Sequence, residues 1–401
     1  MILMIYKSSF FLSEAEKIKS QIITWRRQLH RYPELSFNEK KTAAMITGVL
    51  KKLGLEVRTG IGGTGVVGIL RGMKDNKSAV ALRADMDALP LHEDTGVDYA
   101  SRNSGRMHAC GHDAHMSMVL GTAAMLANYR QNLPGSVVFI FQPGEEKPPG
   151  GARLMIEEGV LENPPVKAIF GLHVTSSLPT GTVGIRDGAV MASADNFTIK
   201  IKGRSSHGAS PHLGSDAIVA SAQVILMLQS IVARRLDPVE PCVLTIGTVN
   251  GGEKENIVAS EVTMTGTVRA INPSLRQQLE TEMRQVLEGA AKATDTIIKL
   301  DYLHGYPALW NDSNLFKKFH SIATRMLGAE GVKELDVPSM GAEDFARYAE
   351  KVPALYFNLG AAIPGEEFRP WHHPRFNINE DCLPIGVALL SAAVMDTLNN
   401  F

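Results

Sequence analysis

The chain has 401 residues, of which 44% are hydrophobic and 21% charged, a composition typical of a folded globular protein. Lysine and arginine total 41 against 42 acidic residues, and the net charge of -1 gives no reason to expect binding to nucleic acid or to an anionic membrane. Three scattered cysteines exclude a disulfide framework and favour a reducing cytoplasm. We expect no signal peptide and no apolar run approaching the ~18 residues of a membrane span.

The first part of the chain alternates helical and strand patterns. Residues 14–53 carry two amphipathic helical patterns that break near Tyr32-Pro33, and a further helical pattern spans 113–129. Short runs rich in Val, Ile and Phe predict strands at 65–70, 79–83, 137–141 and 168–172. Strands that alternate with helices in this way are typical of a mostly parallel sheet covered by helices.

The periodicity changes after about residue 188. Alternating apolar and polar residues predict strands at 197–201, 243–249, 262–268 and 296–303, with helices at 214–235 and 274–293. This β-α-β-β-α-β order is that of a ferredoxin-like unit. The α/β pattern then resumes with helices at 313–327, 342–350 and 383–398 and a strand at 354–359. We therefore predict an α/β domain, residues 1–188 and 304–401, with a second domain, residues 189–303, inserted into it.

Several predicted strands of the first part are followed by side chains that can bind metal. Two aspartates follow the second strand, two adjacent glutamates follow the third, and a histidine follows the fourth. These residues are Asp85, Asp87, Glu145, Glu146 and His173. Any one of them alone is more simply a solvated loop residue or a helix cap. Because sites in open α/β sheets lie beyond the carboxyl ends of strands, the joint pattern indicates a metal site.

The densest cluster of potential ligands is the sequence MHACGHDAH at 107–115. Its Cys110 and His112 flank a glycine that permits a tight turn, and thiolate and imidazole bind zinc and similar cations well. A buried cysteine beside capping histidines is the simpler alternative, and Cys110 as a catalytic nucleophile is another. For the pair Glu145-Glu146, a natural division is one metal ligand and one general base, because a metal-bound water needs a proton acceptor.

Three further motifs lie outside this cluster. The sequence WHHP at 371–374 offers another candidate ligand, and SSHGA at 205–209 lies between a strand and a helix of the inserted domain. Gly60, Gly62 and Gly65 satisfy the G-x-G-x-x-G spacing of dinucleotide-binding loops. Such a loop must open a helix, whereas the residues that follow here are β-prone, so we predict a turn into a strand.

Taken together, these motifs resemble the amidohydrolase branch of the bimetallic aminoacylase and glutamate-carboxypeptidase metallopeptidases, which includes hippurate hydrolases and auxin–amino acid conjugate hydrolases. The resemblance covers nearly the whole chain. MHACGHDAH together with FQPGEE is its most specific part. Shorter matching pieces are LHRYPELSFNE, ALRADMDALP, GLHV, SSHGASPH, GTVNGG, GAEDFA and HHPRF.

The resemblance implies roles for particular side chains. Two divalent metal ions, zinc, manganese or cobalt, would be held by Cys110, His112, Glu146, His173 and His372, with Glu145 as general base. In the inserted satellite domain, His207 would reach the active site of the partner in a homodimer. Arg269 and Asn256 would hold the substrate carboxylate, and Gly341 would make a backbone contact to substrate.

One departure concerns the first acidic motif, where distant relatives have His-x-Asp and this chain has Arg83-Ala84-Asp85. The Cys-x-His pair would compensate for the lost histidine, and Asp85 and Asp87 would orient ligands instead of binding metal. The sequence thus predicts a cytoplasmic enzyme that hydrolyses N-acyl amino acids, with no nucleic acid or membrane partner. The alternatives are a non-catalytic binding protein on the same fold and an amidase that uses Cys110 as nucleophile.

Overall fold

The computed structural model describes residues 8–72 and 78–400, which divide into two compact units. Unit 1 contains the described residues up to Val190, Trp310–Val337 and the segment from Asp344 onwards. Unit 2 contains Met191–Leu309 and Pro338–Glu343. The domain boundaries predicted from the sequence lie at 188/189 and 303/304, and the status of these parts as separate domains stays a prediction.

The elements are numbered in chain order through both units. The strands are β1 (Glu56–Ile61), β2 (Gly65–Leu70), β3 (Ala79–Asp85), β4 (Ser136–Gln142), β5 (Val166–Pro179), β6 (Val183–Ile185), β7 (Gly188–Met191), β8 (Ser193–Lys202), β9 (Cys242–Gly251), β10 (Glu261–Ala270), β11 (Ile297–Tyr306), β12 (Leu309–Asn311), β13 (Val332–Glu334) and β14 (Ala354–Ala362). The helices are α1 (Ser8–Lys17), α2 (Lys19–Arg31), α3 (Lys40–Lys52), α4 (His112–Asn128), α5 (Gly151–Glu157), α6 (Ala217–Arg234), α7 (Pro273–Thr294), α8 (Ser313–Leu327), α9 (Ala346–Ala349) and α10 (Cys382–Asn399).

Unit 1 is organised around an eight-stranded sheet with the order β1-β2-β4-β3-β5-β14-β6-β13. Its central strands β4, β3, β5 and β14 run parallel to one another. Every residue of β3 and β4 is buried, which requires both faces of the sheet to be covered. Burial on both faces explains why their apolar residues follow one another directly instead of alternating with polar ones. The predicted α/β fold class with a mostly parallel central sheet is confirmed.

Two helices, α6 and α10, are long and apolar enough to cross a membrane by length and composition alone. The expectation that no apolar run approaches this length was therefore wrong. Helix α10 packs against α4 in the core of unit 1, and most of its residues are buried there. Helix α6 buries one face in the core of unit 2. Burial against protein thus accounts for most of the apolar composition of α10 and for one face of α6.

Unit 2 contains a four-stranded antiparallel sheet with the order β11-β8-β10-β9. Helices α6 and α7 bury their apolar stripes in the same core as the sheet. The residue before each of the two helices caps it with its side chain. The carboxylate of Asp216 accepts the N–H of Ile218, and the amide oxygen of Asn272 accepts the N–H of Ser274. The β-α-β-β-α-β order predicted for this segment is confirmed.

Some local predictions differ from the structure. Residues 8–52 form three helices, because the chain breaks at Ile18 as well as after Arg31. The helix predicted at 342–350 shrinks to α9, since the carboxylate of Asp344 is engaged with Arg83 and Gln142 in the core of unit 1. The glycine-rich segment before β2 is the turn of the β1–β2 hairpin, as expected.

Candidate metal centre

The candidate ligands of unit 1 gather at the carboxyl edge of its parallel strands. Strands β3 and β4 end side by side, with Asp85 opposite Gln142 in the register. The segments that follow them carry Asp87 and the pair Glu145-Glu146. On the other side of β3, strand β5 carries His173. The topology therefore brings together side chains that are far apart in sequence.

The first residue of helix α4 supplies one imidazole of the cluster, and the turn just before the helix supplies the thiol. The helix begins after Gly111, whose φ of 85° lies in the left-handed region that favours glycine. A Cβ atom at this position would lie 2.3 Å from Cγ2 of Val174, a distance that packing does not allow. Glycine therefore permits the sharp turn that lets Cys110 and His112 face the same point.

Six side chains form the cluster. They fall into overlapping groups whose ligand atoms all lie within 4.8 Å of one another: Cys110, His112 and His173; Cys110, Glu146 and His372; and His112, Glu145 and Glu146. The Sγ of Cys110 lies 3.3 Å from Nε2 of His173. The Oε1 of Glu146 lies 3.1 Å from Nε2 of His372 and 4.0 Å from Nε2 of His112.

Hydrogen bonds set which nitrogen of each imidazole faces the cluster. The Nδ1 of His112 lies 2.8 Å from the carbonyl oxygen of Asp87, and the Nδ1 of His173 lies 2.8 Å from that of Val174. A carbonyl oxygen can only accept, so both rings carry a proton on Nδ1. In the neutral rings, the Nε2 lone pairs therefore point into the cluster, where a metal ion would need them.

His115, from the same motif, is arranged differently. Its Nδ1 lies 2.7 Å from Oδ1 of Asp85, and its Nε2 accepts the N–H of Val174 at 3.0 Å. Both ring nitrogens are thus engaged with protein. His115 consequently has no lone pair to offer the cluster and instead fixes the carboxylate of Asp85 and the backbone next to His173.

The carboxylate of Asp87 accepts hydrogen bonds from the backbone of the Glu145-Glu146 loop. Its Oδ1 accepts the N–H of Glu145 at 3.1 Å, and its Oδ2 accepts the N–H of Glu146 at 3.0 Å. The hydroxyl of Ser36 donates to the same carboxylate at 2.6 Å. Asp87 therefore orients both glutamates while its backbone carbonyl orients His112.

The electrostatics of the cluster favour a cation. Burial lowers the pKa of His112, but the carboxylates of Asp85 and Asp87 outweigh burial and raise it to about 10. Burial, together with Glu146 and Glu145, raises the pKa of the Cys110 thiol well above its usual range. Both shifts have one cause in common, which is an excess of buried negative charge that a divalent cation would neutralise.

One buried oxygen atom, in the side chain of Glu146, indicates whether the cluster suits a metal ion. The Oε1 of Glu146 is buried and accepts no hydrogen bond, although Nε2 of His372 lies 3.1 Å from it. A buried carboxylate oxygen without a hydrogen bond is costly unless an ion neutralises it. The surrounding donors, a thiol, imidazole nitrogens and carboxylates, are the mixed set that zinc and related ions accept. The residues present fit a metal centre.

The loop at 371–374 contributes one of its two histidines. The backbone N–H of His372 donates to the carbonyl of Ala109 at 2.9 Å, which ties this residue to the Cys110 turn. Next to it, the indole N–H of Trp371 donates to the carbonyl of Val174. The ring of His373 instead accepts the N–H of Arg375. His372, the residue singled out from the sequence, is thus the one that joins the cluster.

The remaining sequence-predicted residues lie in unit 2. His207 and Asn256 are neighbours there, since His207 forms a β-bridge with Ile257 and the N–H of Gly208 donates to the carbonyl of Asn256. Both His207 and Asn256 are exposed. The Nδ1 of His207 accepts the N–H of Ala209 at 3.0 Å, which puts the ring proton of the neutral form on Nε2.

Arg269 and Gly341 also lie in unit 2. Among the described residues, the half-buried guanidinium of Arg269 makes no hydrogen bond or ion pair, and burial lowers its pKa with partial opposition from Asp195. The backbone of Gly341 already has two partners. Its N–H donates to the hydroxyl of Ser339, and its carbonyl accepts the N–H of Ala192.

Sequence analysis missed a buried network behind the cluster. Arg83 donates to Asp85 and to Asp344 at 2.7 Å each, and to the side-chain oxygen of Gln142 at 2.9 Å. It thereby ties the ends of β3 and β4 to the segment before α9. A charged residue inside an otherwise apolar strand was the available signal, because a buried arginine needs acidic partners.

Comparisons with known proteins agree with this geometry. Residues 81–396 match peptidase family M20/M25/M40. N-acetylcysteine deacetylase of Bacillus subtilis (strain 168) is 38% identical over 383 residues, 94% of this chain and 98% of that protein. IAA-amino acid hydrolase ILR1-like 5 of Arabidopsis thaliana is 36% identical over 393 residues, 96% of this chain and 88% of that protein. The crystal structure of Bacillus subtilis YXEP protein, a dinuclear metal binding peptidase from the M20 family, matches with a TM-score of 0.83 at 35% identity and covers 96% of this chain and 99% of that one.

The fold, the cluster and these matches define a hydrolase. More narrowly, the chain belongs to peptidase family M20/M25/M40, which it matches over residues 81–396, most of its own length. The resemblance read from the motifs, to the amidohydrolase branch of this family, is confirmed.

Proposed function

We propose that this protein hydrolyses the amide bond of N-acyl amino acids with the help of two divalent metal ions per chain. The observation that carries the proposal is the convergence of a thiol, three imidazoles and two adjacent carboxylates at one end of the parallel sheet. The names of two relatives support the substrate class. N-acetylcysteine deacetylase and IAA-amino acid hydrolase are both named for a substrate in which a further group is joined to an amino acid.

In this proposal five residues hold the metal ions, namely Cys110, His112, Glu146, His173 and His372. Sulfur, nitrogen and oxygen donors in one site suit zinc, manganese or cobalt. When bound, the ions supply Lewis acidity to the amide carbonyl and acidify the attacking water. The similarity to the YXEP protein, a dinuclear metal binding peptidase, supports the number two.

Glu145 acts as the general base in this proposal. It takes a proton from the attacking water and delivers that proton to the leaving amine nitrogen. Asp87 holds the backbone N–H groups of Glu145 and Glu146 on its two oxygens, and the two side chains leave the loop from successive residues. One carboxylate can then serve as ligand while its neighbour remains available for proton transfer.

His207 serves as an electrophilic donor in the same proposal. Its Nε2–H would donate to the amide oxygen as negative charge develops there, in the active site of the partner chain. A homodimer is required for this. The exposed apolar residues Ile218, Val219 and Leu226 of α6, at 48%, 52% and 74% exposure, support an interface in unit 2.

Arg269 and Asn256 hold the free carboxylate of the substrate in this proposal, and Gly341 adds a backbone contact. A half-buried guanidinium with no protein partner among residues 8–72 and 78–400 favours an external anion. Since both backbone groups of Gly341 are already bonded, its contact would be a further bond at the carbonyl oxygen. We further propose that the enzyme is cytoplasmic and acts on small molecules.

The test is an assay of a panel of N-acyl amino acids with the metal content of the same sample measured. We expect hydrolysis that disappears after exhaustive chelation and returns with added zinc, manganese or cobalt. Cys110→Ala should lower the metal content. Full activity of the metal-free protein would instead indicate an amidase with Cys110 as nucleophile. Metal binding without hydrolysis of any member would indicate a binding protein on this fold.

A further inference from the structure

One sequence motif has no role in the function proposed above. The sequence LHRYPELSFNE spans 29–39, from the end of α2 to the residue before α3. Among its last four residues, Glu39 accepts the N–H of Gly144 in the loop that carries Glu145 and Glu146, and Ser36 donates to Asp87. We call residues 36–39 the brace.

Two buried carboxylates take three successive backbone N–H groups of the glutamate loop. Glu39 is fully buried, and its Oε1 accepts the N–H of Gly144 at 2.9 Å. Asp87 accepts the next two N–H groups, those of Glu145 and Glu146. The hydroxyl of Ser36 donates a hydrogen bond to Asp87 at 2.6 Å. The brace thus supplies one of the two carboxylates, that of Glu39, and is hydrogen-bonded to the other. The path of the loop is therefore specified at each of its residues from 144 to 146.

Glu39 also fixes the brace itself. Its Oε1 accepts the N–H of Phe37 at 2.9 Å, in addition to that of Gly144, and its Oε2 accepts a short hydrogen bond from the hydroxyl of Thr64. One carboxylate thus joins the brace, the glutamate loop and the β1–β2 turn. Both of its oxygens are bonded within the protein, and its role is not direct contact with substrate.

Phe37 adds a steric contact. Its ring packs so closely on Gly144 that a Cβ atom there would lie 2.4 Å from the ring Cζ. Phe37 itself has a φ of 64°, a conformation that a bulky residue rarely adopts. Such backbone strain persists where the surrounding contacts over-determine it, and it concentrates at functional sites. Here the hydrogen bond from the Phe37 N–H to Glu39 holds the strained residue in place.

We propose that the brace is a positioning element that aims Glu145 and Glu146 in different directions, with Glu39 as its central residue. It acts through the backbone of the glutamate loop and touches neither metal nor substrate. The part that concerns Glu145 rests on the proposed function. The part that concerns Glu146 is independent of any substrate, because it is measured as metal affinity.

The test compares two carboxylates of the same motif. Glu39→Ala removes the acceptor of the Gly144 N–H. Glu34→Ala is the matched control, because Glu34 is buried and accepts the N–H groups of Lys41 and Thr42 at the start of α3 without contacting the glutamate loop. Both variants are assayed below their unfolding temperatures, for zinc affinity by competition with a chromogenic chelator and for kcat and KM.

We expect Glu39→Ala to lower zinc affinity and kcat by about 10–100-fold each with little change in KM, the usual scale for residues that orient metal ligands. Glu34→Ala should change neither by more than a small factor. Equal losses in the two variants, or no loss in Glu39→Ala, would overturn the proposal. If the wild-type chain hydrolyses no N-acyl amino acid, the proposed function fails, and the zinc comparison still decides the part concerning Glu146.

Conservative variants provide a second measurement. Glu39→Gln should recover most of the zinc affinity and kcat, because its Oε1 can still accept both N–H groups while its amide nitrogen faces the Thr64 hydroxyl. Ser36→Thr, which keeps the hydroxyl to Asp87, should likewise exceed Ser36→Ala in both readouts. Failure of both conservative variants to exceed their alanine counterparts would show that these hydrogen bonds do not position the loop.

Discussion

At the scale of single residues, hydrogen bonds divide the histidines of one short motif between different tasks. His112 turns its Nε2 lone pair towards the cluster because its Nδ1–H donates to the carbonyl of Asp87. Three residues later, His115 has both nitrogens engaged with Asp85 and Val174. The sequence shows two similar imidazoles on the first turn of a helix. Only the neighbouring strands decide which of them can bind a metal.

The role of Glu145 can be tested by replacing its carboxylate with an amide. Glu145→Gln keeps the size of the side chain and the backbone hydrogen bond to Asp87 but removes the proton acceptor. We expect metal content to be retained and kcat to fall by roughly 10²–10⁴-fold, the scale of a general base. Glu146→Gln is the matched control and should lose metal. The reverse pattern, metal loss in Glu145→Gln with normal turnover per metal, would mean that the two roles are exchanged.

Arg269 is expected to select substrates with a free carboxylate. Arg269→Lys keeps the charge but loses the planar fork, and we expect a loss of about 1.5–3 kcal/mol in kcat/KM for an N-acyl amino acid. The measurement pairs each acid with its amide, in wild type and in Arg269→Ala. Arg284→Ala, at an exposed arginine of α7, is the control and should behave as wild type. Equal discrimination by wild type and Arg269→Ala would exclude Arg269 as the anchor.

At the scale of elements, the long buried pieces are the ones that sequence patterns predict well. The apolar run at 65–70 forms β2, and the helical pattern at 313–327 forms α8. Both were predictable because a continuous apolar run or an apolar stripe of helical period is visible within a short stretch of sequence. The short strands β6 and β13 were missed, since their three-residue pairing depends on partners far along the chain. The candidate ligands of the cluster were predicted through motifs, whereas the pairing of Arg83 with Asp344 was not predicted, because it exists only after folding.

The turn before α4 makes a quantitative prediction at this scale. Gly111→Ala adds a Cβ atom in a left-handed conformation and against Val174, so we expect a loss of about 2–4 kcal/mol of unfolding free energy. Gly105→Ala isolates the backbone part, because Gly105 has a φ of 70° with no atom within 4 Å of the added Cβ. Urea unfolding measures both. A loss no larger in Gly111→Ala than in Gly105→Ala would show that the contact with Val174 relaxes without cost.

At the scale of the whole molecule, the chain leaves unit 1 after Val190 and returns to it at Trp310. Unit 2 carries the residues assigned to substrate binding in the proposal, Gly341 among them in its second segment Pro338–Glu343, while the five proposed metal ligands belong to unit 1. In the proposal, the metal ligands and the substrate-binding residues thus belong to different units. Substitutions in unit 2 are therefore expected to change substrate preference without changing metal content.

Sharing of active sites between two chains is tested by mixing inactive variants. His207→Ala and Glu145→Gln chains are expected to be nearly inactive alone. In a heterodimer, one site would combine an intact Glu145 with an intact His207 from the other chain, so random mixing should restore about a quarter of wild-type activity. Mixing each variant with itself is the control. Absence of recovery after subunit exchange has been verified would contradict shared sites.

The place of β14 between β5 and β6 has a consequence for biosynthesis. A ribosome releases Met191–Leu309, the larger part of unit 2, as one continuous segment, and the four-stranded sheet pairs strands from that segment alone, so its folding can proceed while the chain is still growing. Unit 1 has to wait, because β14 completes its sheet and His372 its cluster only when the last tenth or so of the chain has been made. Until then β5 and β6 lack a shared neighbour and expose unpaired edges. A chain that is cut short before β14 would thus keep the four-stranded sheet of unit 2 and lose the candidate metal centre.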